Sequence, residues 1–109
     1  AAGLREIAPF NLGSRDDYRV PDYGYVRSTP TETFVPTAAI VAEVVSPDDE
    51  TYEKFAFYAA HSVDEIAVAE PIERRVRWFV RDGGRYDETV ASPLLGVTVA
   101  ELATAIDWP

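Results

Sequence analysis

The sequence predicts an α/β fold, a mixed β-sheet with helices on its flanks. Two short apolar runs, residues 39–45 and 65–69, bracket a helical stretch ending near Ala60, and strand, helix and strand in that order form a right-handed parallel crossover. Downstream, Arg74-Arg75-Val76-Arg77-Trp78-Phe79-Val80-Arg81 alternates in character, turns at Asp82-Gly83-Gly84, and returns through residues 85–90, which is the pattern of an antiparallel hairpin.

Taken in order, residues 4–12 alternate well enough for a strand, with Pro9 marking an edge or a bulge. Residues 13–17 read as a turn. Tyr18-Arg19-Val20-Pro21 leads into a second strand, residues 22–27, in which Asp22, Gly24 and Val26 share one face. Gly24 leaves room beside the Asp22 carboxylate for an ion, a water or a backbone; a turn aspartate at a strand start is the plainer alternative. The proline- and threonine-rich residues 28–37 form a loop to the next strand. Residues 92–96 form another loop. Thr98 with Glu101 makes a capping box ahead of a short helix that buries Val99, Leu102, Ala103 and Ile106.

The central stretch carries the chemistry. Ala39-Ile40-Val41-Ala42 is broken by Glu43 and resumes as Val44-Val45. Burying an unpartnered carboxylate costs several kcal/mol or forces protonation, so Glu43 stands at a solvent-lined strand end or faces a cation. Ser46 suits a helix N-cap and Pro47 the first helical position, with Asp48, Asp49 and Glu50 in the first turn. Tyr52, Phe55, Ala56 and Ala59 recur at helical spacing as a buried stripe. Lys54 is the one lysine among ten basic side chains. It lies about 10 Å along the helix, and Glu43 about 10 Å back along the strand, so the two reach one level if the helix folds back. The alternative is an exposed pairing with Glu50 at i, i+4, worth about 0.2–0.5 kcal/mol.

Length and composition set the frame. The 109 residues form one domain spanning 1–109, and with 47% hydrophobic and 27% charged residues the chain is composed like an ordinary globular protein. No run reaches the roughly 18 apolar residues of a membrane span, and the expected location is cytoplasmic. Cysteine is absent, which excludes disulfides and thiolate zinc sites. Methionine is absent too and the chain opens Ala1-Ala2-Gly3, so we expect a piece of a longer chain lacking its N-terminal part. A net charge of −9 opposes indiscriminate attraction to phosphate. The row Arg75, Arg77, Arg81 is the only concentrated positive charge, either a phosphate track or a solvated face balanced by acids such as Glu88. The sole histidine, His61, sits where a helix C-terminus favours a cation, and one histidine without cysteine cannot build a usual zinc site.

The chain resembles the Uma-type endonucleases of the PD-(D/E)XK nuclease superfamily from about Tyr18 to the C-terminus. The carriers are Pro21-Asp22 opening a strand, Glu43-Val44-Val45-Ser46-Pro47 closing the next, Lys54 and Tyr58 on the following helix, and Val63-Asp64-Glu65 leading to Glu70-Pro71. The resemblance implies a restriction-endonuclease-like mixed sheet with flanking helices and a divalent-metal phosphodiesterase. Asp22 and Glu43 match the family's metal carboxylates, with the Val44 carbonyl a further ligand. Val45 stands where the superfamily motif places lysine, and Lys54 on the helix takes that role.

Chemistry agrees: two carboxylates about 4 Å apart repel by roughly 4 kcal/mol at an effective dielectric near 20, and hard oxygen ligands suit Mg²⁺ or Mn²⁺. The implied function is an endonuclease hydrolysing DNA phosphodiester bonds, working as a homodimer to cut both strands. The competing class is a catalytically inactive relative that keeps the fold as an acidic protein-interaction module.

Overall fold

Alternating apolar residues make the crossover between residues 40 and 70 the centre of the molecule. The computed structural model describes residues 3–7, 9–46 and 50–108. Its strands are β1 (Arg5–Ile7), β2 (Asn11–Ser14), β3 (Asp17–Arg19), β4 (Tyr23–Val26), β5 (Phe34–Val35), β6 (Ile40–Val44), β7 (Glu65–Glu70), β8 (Arg75–Asp82) and β9 (Arg85–Thr89). A 3-10 turn, Thr51–Lys54, runs into α1 (Phe55–Ala60), and α2 (Val99–Ala105) follows β9. One sheet has the order β1-β4-β6-β7-β8-β9 and a second, smaller one β3-β2-β5. β6 and β7 are parallel, as the crossover requires, and their other neighbours in the large sheet are antiparallel. Among the described residues no helix is long and apolar enough to cross a membrane.

The two-residue period of the strands sends side chains to two cores. Val41, Ile66, Val68 and Phe79 share one core with Tyr58 of α1 and with Phe10, Leu12 and Val35. Ile40, Val76 and Trp78 point the other way and pack with Val99, Leu102 and Ala103 of α2. α2 starts at the predicted capping box, in which Glu101 N donates to Thr98 Oγ1 and Thr98 N to Glu101 Oε1. The hairpin turns at Gly83-Gly84, where Gly83 takes φ +65°; that left-handed conformation favours glycine.

The second core contains a carboxylate. Glu65 is 2% exposed and accepts hydrogen bonds from Trp78 Nε1 (2.8 Å), Ser92 Oγ (2.6 Å) and the Leu94 amide (3.0 Å). Three donors offset its desolvation and tie the 92–95 loop to the sheet.

Several expectations need correction. Residues 4–12 form two strands in different sheets: β1 pairs with β4, whereas β2 pairs with β3 and β5. The expected turn at 13–17 narrows to Arg15-Asp16, because Gly13, Ser14 and Asp17 are paired in β2 and β3. The loop 28–37 contains β5, too short to recognise by alternation and held by β2. The proposed helix start at Pro47, with Asp48 and Asp49, lies outside the described residues; the first helical residue described is Thr51. Of the expected stripe, Ala59 is buried and Phe55 half-buried, but Tyr52 and Ala56 are exposed, and Tyr58 is buried in their place. Space beside Gly24 is filled: a Cβ added there would lie 2.5 Å from the Phe10 ring.

Gly24→Ala should therefore destabilise the fold by about 1–3 kcal/mol, the usual cost of overpacking. Chemical denaturation would measure it, and pairing the change with Phe10→Leu should recover much of the loss.

Candidate active site

Glu43 lies one residue before the end of β6, on the face that α1 covers, and is 3% exposed. Tyr58 OH donates to its Oε1 at 2.9 Å and Lys54 Nζ to its Oε2 at 3.2 Å. Lys54 and Tyr58 are four residues apart on one helical face, and both lean toward the helix N-terminus where β6 ends. Among the described residues, the ion pair that Lys54 makes is with Glu43, not with Glu50.

Asp22 reaches the same point from β4. Tyr23 pairs with Ala42 in the antiparallel register, so one further residue sets Asp22 opposite Glu43. The Asp22 carboxylate is exposed, and its Oδ2 accepts the Val44 amide at 2.8 Å. Asp22, Glu43, Val44 and Lys54 are thus brought together.

Electrostatics follow from burial. The Glu43 carboxyl is pushed above its ordinary range by burial; the Tyr58 hydrogen bond and the Lys54 charge pull it back, and the Asp22 charge pushes it further up. The Tyr58 hydroxyl is raised well above its ordinary value by burial and the Glu43 charge, which keeps it a donor. That Asp22 acts on both groups marks the two carboxylates as electrostatic neighbours.

The arginine row divides. Arg75 bonds Glu70, and Arg77 bonds Glu88 through Nε (2.9 Å) and Nη2 (2.7 Å). Tyr52 connects this group, its hydroxyl donating to Glu70 at 2.7 Å and accepting from Arg77 at 3.0 Å. Arg81 sits toward the opposite end of β8, 3.7 Å from Asp64, which Arg27 also holds at 2.6 Å. As a continuous track of free cations the row therefore does not exist, since each arginine faces an acid. His61 caps α1, its ring stacked on Phe57 at 4.1 Å with Nδ1 2.9 Å from the Phe57 carbonyl.

Sequence reasoning named Tyr58 as a carrier of the resemblance but assigned no chemistry to it, nor to the hydroxyl of Tyr52. The available signal for Tyr58 was its place four residues after Lys54, but an aromatic at helical spacing reads first as core.

Glu43 titrates higher folded than unfolded, so the stability it contributes is full below the unfolded carboxylate range and is lost as pH rises through the raised folded value. Denaturant midpoints measured across pH should show Glu43→Gln losing that share of the decline, with a midpoint at or above wild type near neutrality. Parallel curves for the two proteins would contradict the shift.

Comparison with known proteins bears on the family and the fold. The model of a family described as "Uma2: Putative restriction endonuclease" matches residues 4–108. Among solved structures, the chain is similar to a crystal structure described as a putative nuclease belonging to DUF820 from Anabaena variabilis. The likeness has a TM-score of 0.72 at 14% identity and covers 94% of this chain and 69% of that one. Comparison with curated proteins gave no match. The fold is the restriction-endonuclease-like α/β fold, and the chain belongs to the Uma2 family.

Proposed function

We propose that the protein is a divalent-metal-dependent endonuclease that hydrolyses DNA phosphodiester bonds. One observation carries the reading: the chain's only lysine meets buried Glu43 at 3.2 Å, beside an aspartate anchored to the very next residue of β6.

The donor set suits a hard cation. Among the described residues no group of three His, Cys, Asp or Glu gathers, so a Mg²⁺ here would be held by two carboxylates, with waters and substrate phosphate completing its shell. Asp22, Glu43 and the Val44 carbonyl would hold it. Each Glu43 oxygen accepts one hydrogen bond and keeps a lone pair. When bound, Mg²⁺ or Mn²⁺ supplies Lewis-acid stabilisation of phosphate charge and lowers the pKa of its water.

The protein's own groups do the rest. Tyr58 fixes one Glu43 oxygen, and the Val44 amide fixes one Asp22 oxygen, so both carboxylates are oriented before substrate arrives. Lys54, about a quarter exposed, can turn from Glu43 toward charge developing on the phosphate or orient the attacking water. One such site per chain cuts one strand, so a double-strand cut calls for a homodimer. A DNA substrate also agrees with the cytoplasmic location expected from composition.

Mg²⁺ or Mn²⁺ should raise the Tm of the wild type, and Asp22→Asn or Glu43→Gln should abolish the rise. Retention of the rise in both mutants would remove the metal site and leave the acidic interaction module as the reading. Lys54→Ala should lower cleavage about 10²–10³-fold, the scale of losing one preorganised donor, while the metal-induced rise persists. Wild-type cleavage in that variant would return Lys54 to a structural role.

A further inference from the structure

Arg77 is built like a phosphate receptor that already holds an anion. Glu43 pairs with Val68, and Val68 with Arg77, so the three lie in one row across β6, β7 and β8. The two-residue period puts Glu43 and Arg77 on the same face, and two strand spacings separate their backbones by about 10 Å. Tyr52, which hydrogen-bonds Arg77, precedes Lys54 by two residues in the same 3-10 turn. Arg77 therefore borders the candidate active site on the β8 side.

The guanidinium is held from behind. It stands 5.2 Å from the Tyr52 ring centroid and 5.1 Å from that of Phe79, and Nη1 donates to the Tyr52 hydroxyl. Its outward fork, Nε and Nη2, grips both oxygens of Glu88. The two partners differ in support. Arg77 keeps its aromatic and hydroxyl contacts if the carboxylate leaves, whereas the hydrogen bonds described for Glu88 both come from Arg77. Glu88 is also the more exposed, 48% against 28%. The Arg77 hydrogen bonds hold the Glu88 carboxyl below its ordinary range, so it is an anion.

A phosphodiester carries the same single charge and offers the same paired oxygens to an arginine fork. We propose that Arg77 and Tyr52 form a subsite for a backbone phosphate next to the one at Glu43 and Lys54, and that Glu88 occupies it as a built-in competitor until DNA displaces it. The proposal rests on the endonuclease reading and adds to it a substrate contact and a brake. It also accounts for an arginine row kept in a chain of net charge −9: with Glu88 in place the fork presents no net charge to solvent.

Fluorescence anisotropy with a short labelled DNA duplex, metal withheld, tests this on the full chain over a range of salt. Glu88→Gln should tighten binding several-fold and steepen the dependence of log K on log salt by about one phosphate contact. Arg77→Gln should weaken binding, and the double variant should bind like Arg77→Gln. Asp107→Asn, which removes a charge from an exposed position elsewhere, should leave binding near wild type. A gain of affinity cannot arise from misfolding. The subsite is overturned if Glu88→Gln binds like wild type, if its gain survives in the double variant, or if Asp107→Asn matches it. Failure here with the Asp22- and Glu43-dependent metal response intact refutes the subsite alone. Absence of DNA binding in every variant refutes it together with DNA as substrate.

Discussion

A buried carboxylate held by one tyrosine and one lysine organises this molecule. Glu43 stands on an interior strand of the sheet, where water cannot solvate it, and two donors from α1 and the turn before it take over that task. Anchoring of this kind fixes more than a side chain. It sets how the helix sits on β6, it brings the lone lysine to the sheet, and it leaves Asp22 to approach from β4. Glu65 shows the contrast. Buried to the same degree, it receives three hydrogen bonds from two side chains and a backbone amide, all neutral donors, and serves as a fastening for a loop. Glu43 is paired with a partly exposed cation, next to a second acid, and its carboxyl is held above its ordinary range. Two glutamates with equal burial thus have different chemistry because their partners differ.

The face that α1 covers reads as a polar row among aromatic rings. Glu43, Glu70, Arg75, Arg77 and Glu88 come from four strands, Asp22 stands just ahead of β4, and Tyr52 and Lys54 join them from one turn. Sheet register builds the row, because residues at one level on neighbouring strands share a face. The rings of Tyr52, Phe55 and Phe79 pack against one another beside it, with centroids between 4.9 and 6.3 Å apart. The Arg77 guanidinium lies over two of them, Tyr52 and Phe79, which restricts its geometry.

Much of this was legible in the chain. The crossover, the hairpin and the Thr98 capping box follow from local patterns that tertiary packing does not override. Glu43 stood out because a charge interrupts an apolar run, and Lys54 because it is the only lysine; elementary rises per residue put the two at one level. The division of residues 4–12 between two sheets was hidden because both halves alternate and only the chain's path decides their partners. The room beside Gly24 could not be judged without knowing that Phe10 folds onto it. That acids such as Glu88 balance the arginine row was legible as an alternative, but which arginine meets which acid was not, for a related reason. Glu88 lies opposite Phe79, diagonal to Arg77, and a diagonal contact depends on hairpin register and on side-chain direction together.

β9 closes the large sheet on one side, with β8 as its strand neighbour, whereas β8 and β6 are each flanked by two strands. Marginal strands open at lower free energy than interior ones. Glu88 rides on such a margin, while Glu43 and Arg77 ride on strands clamped from both sides. In the exchange proposed for Glu88, the strand that would have to yield is thus the outermost one, and the strands that carry Glu43 and Arg77 would keep both of their neighbours.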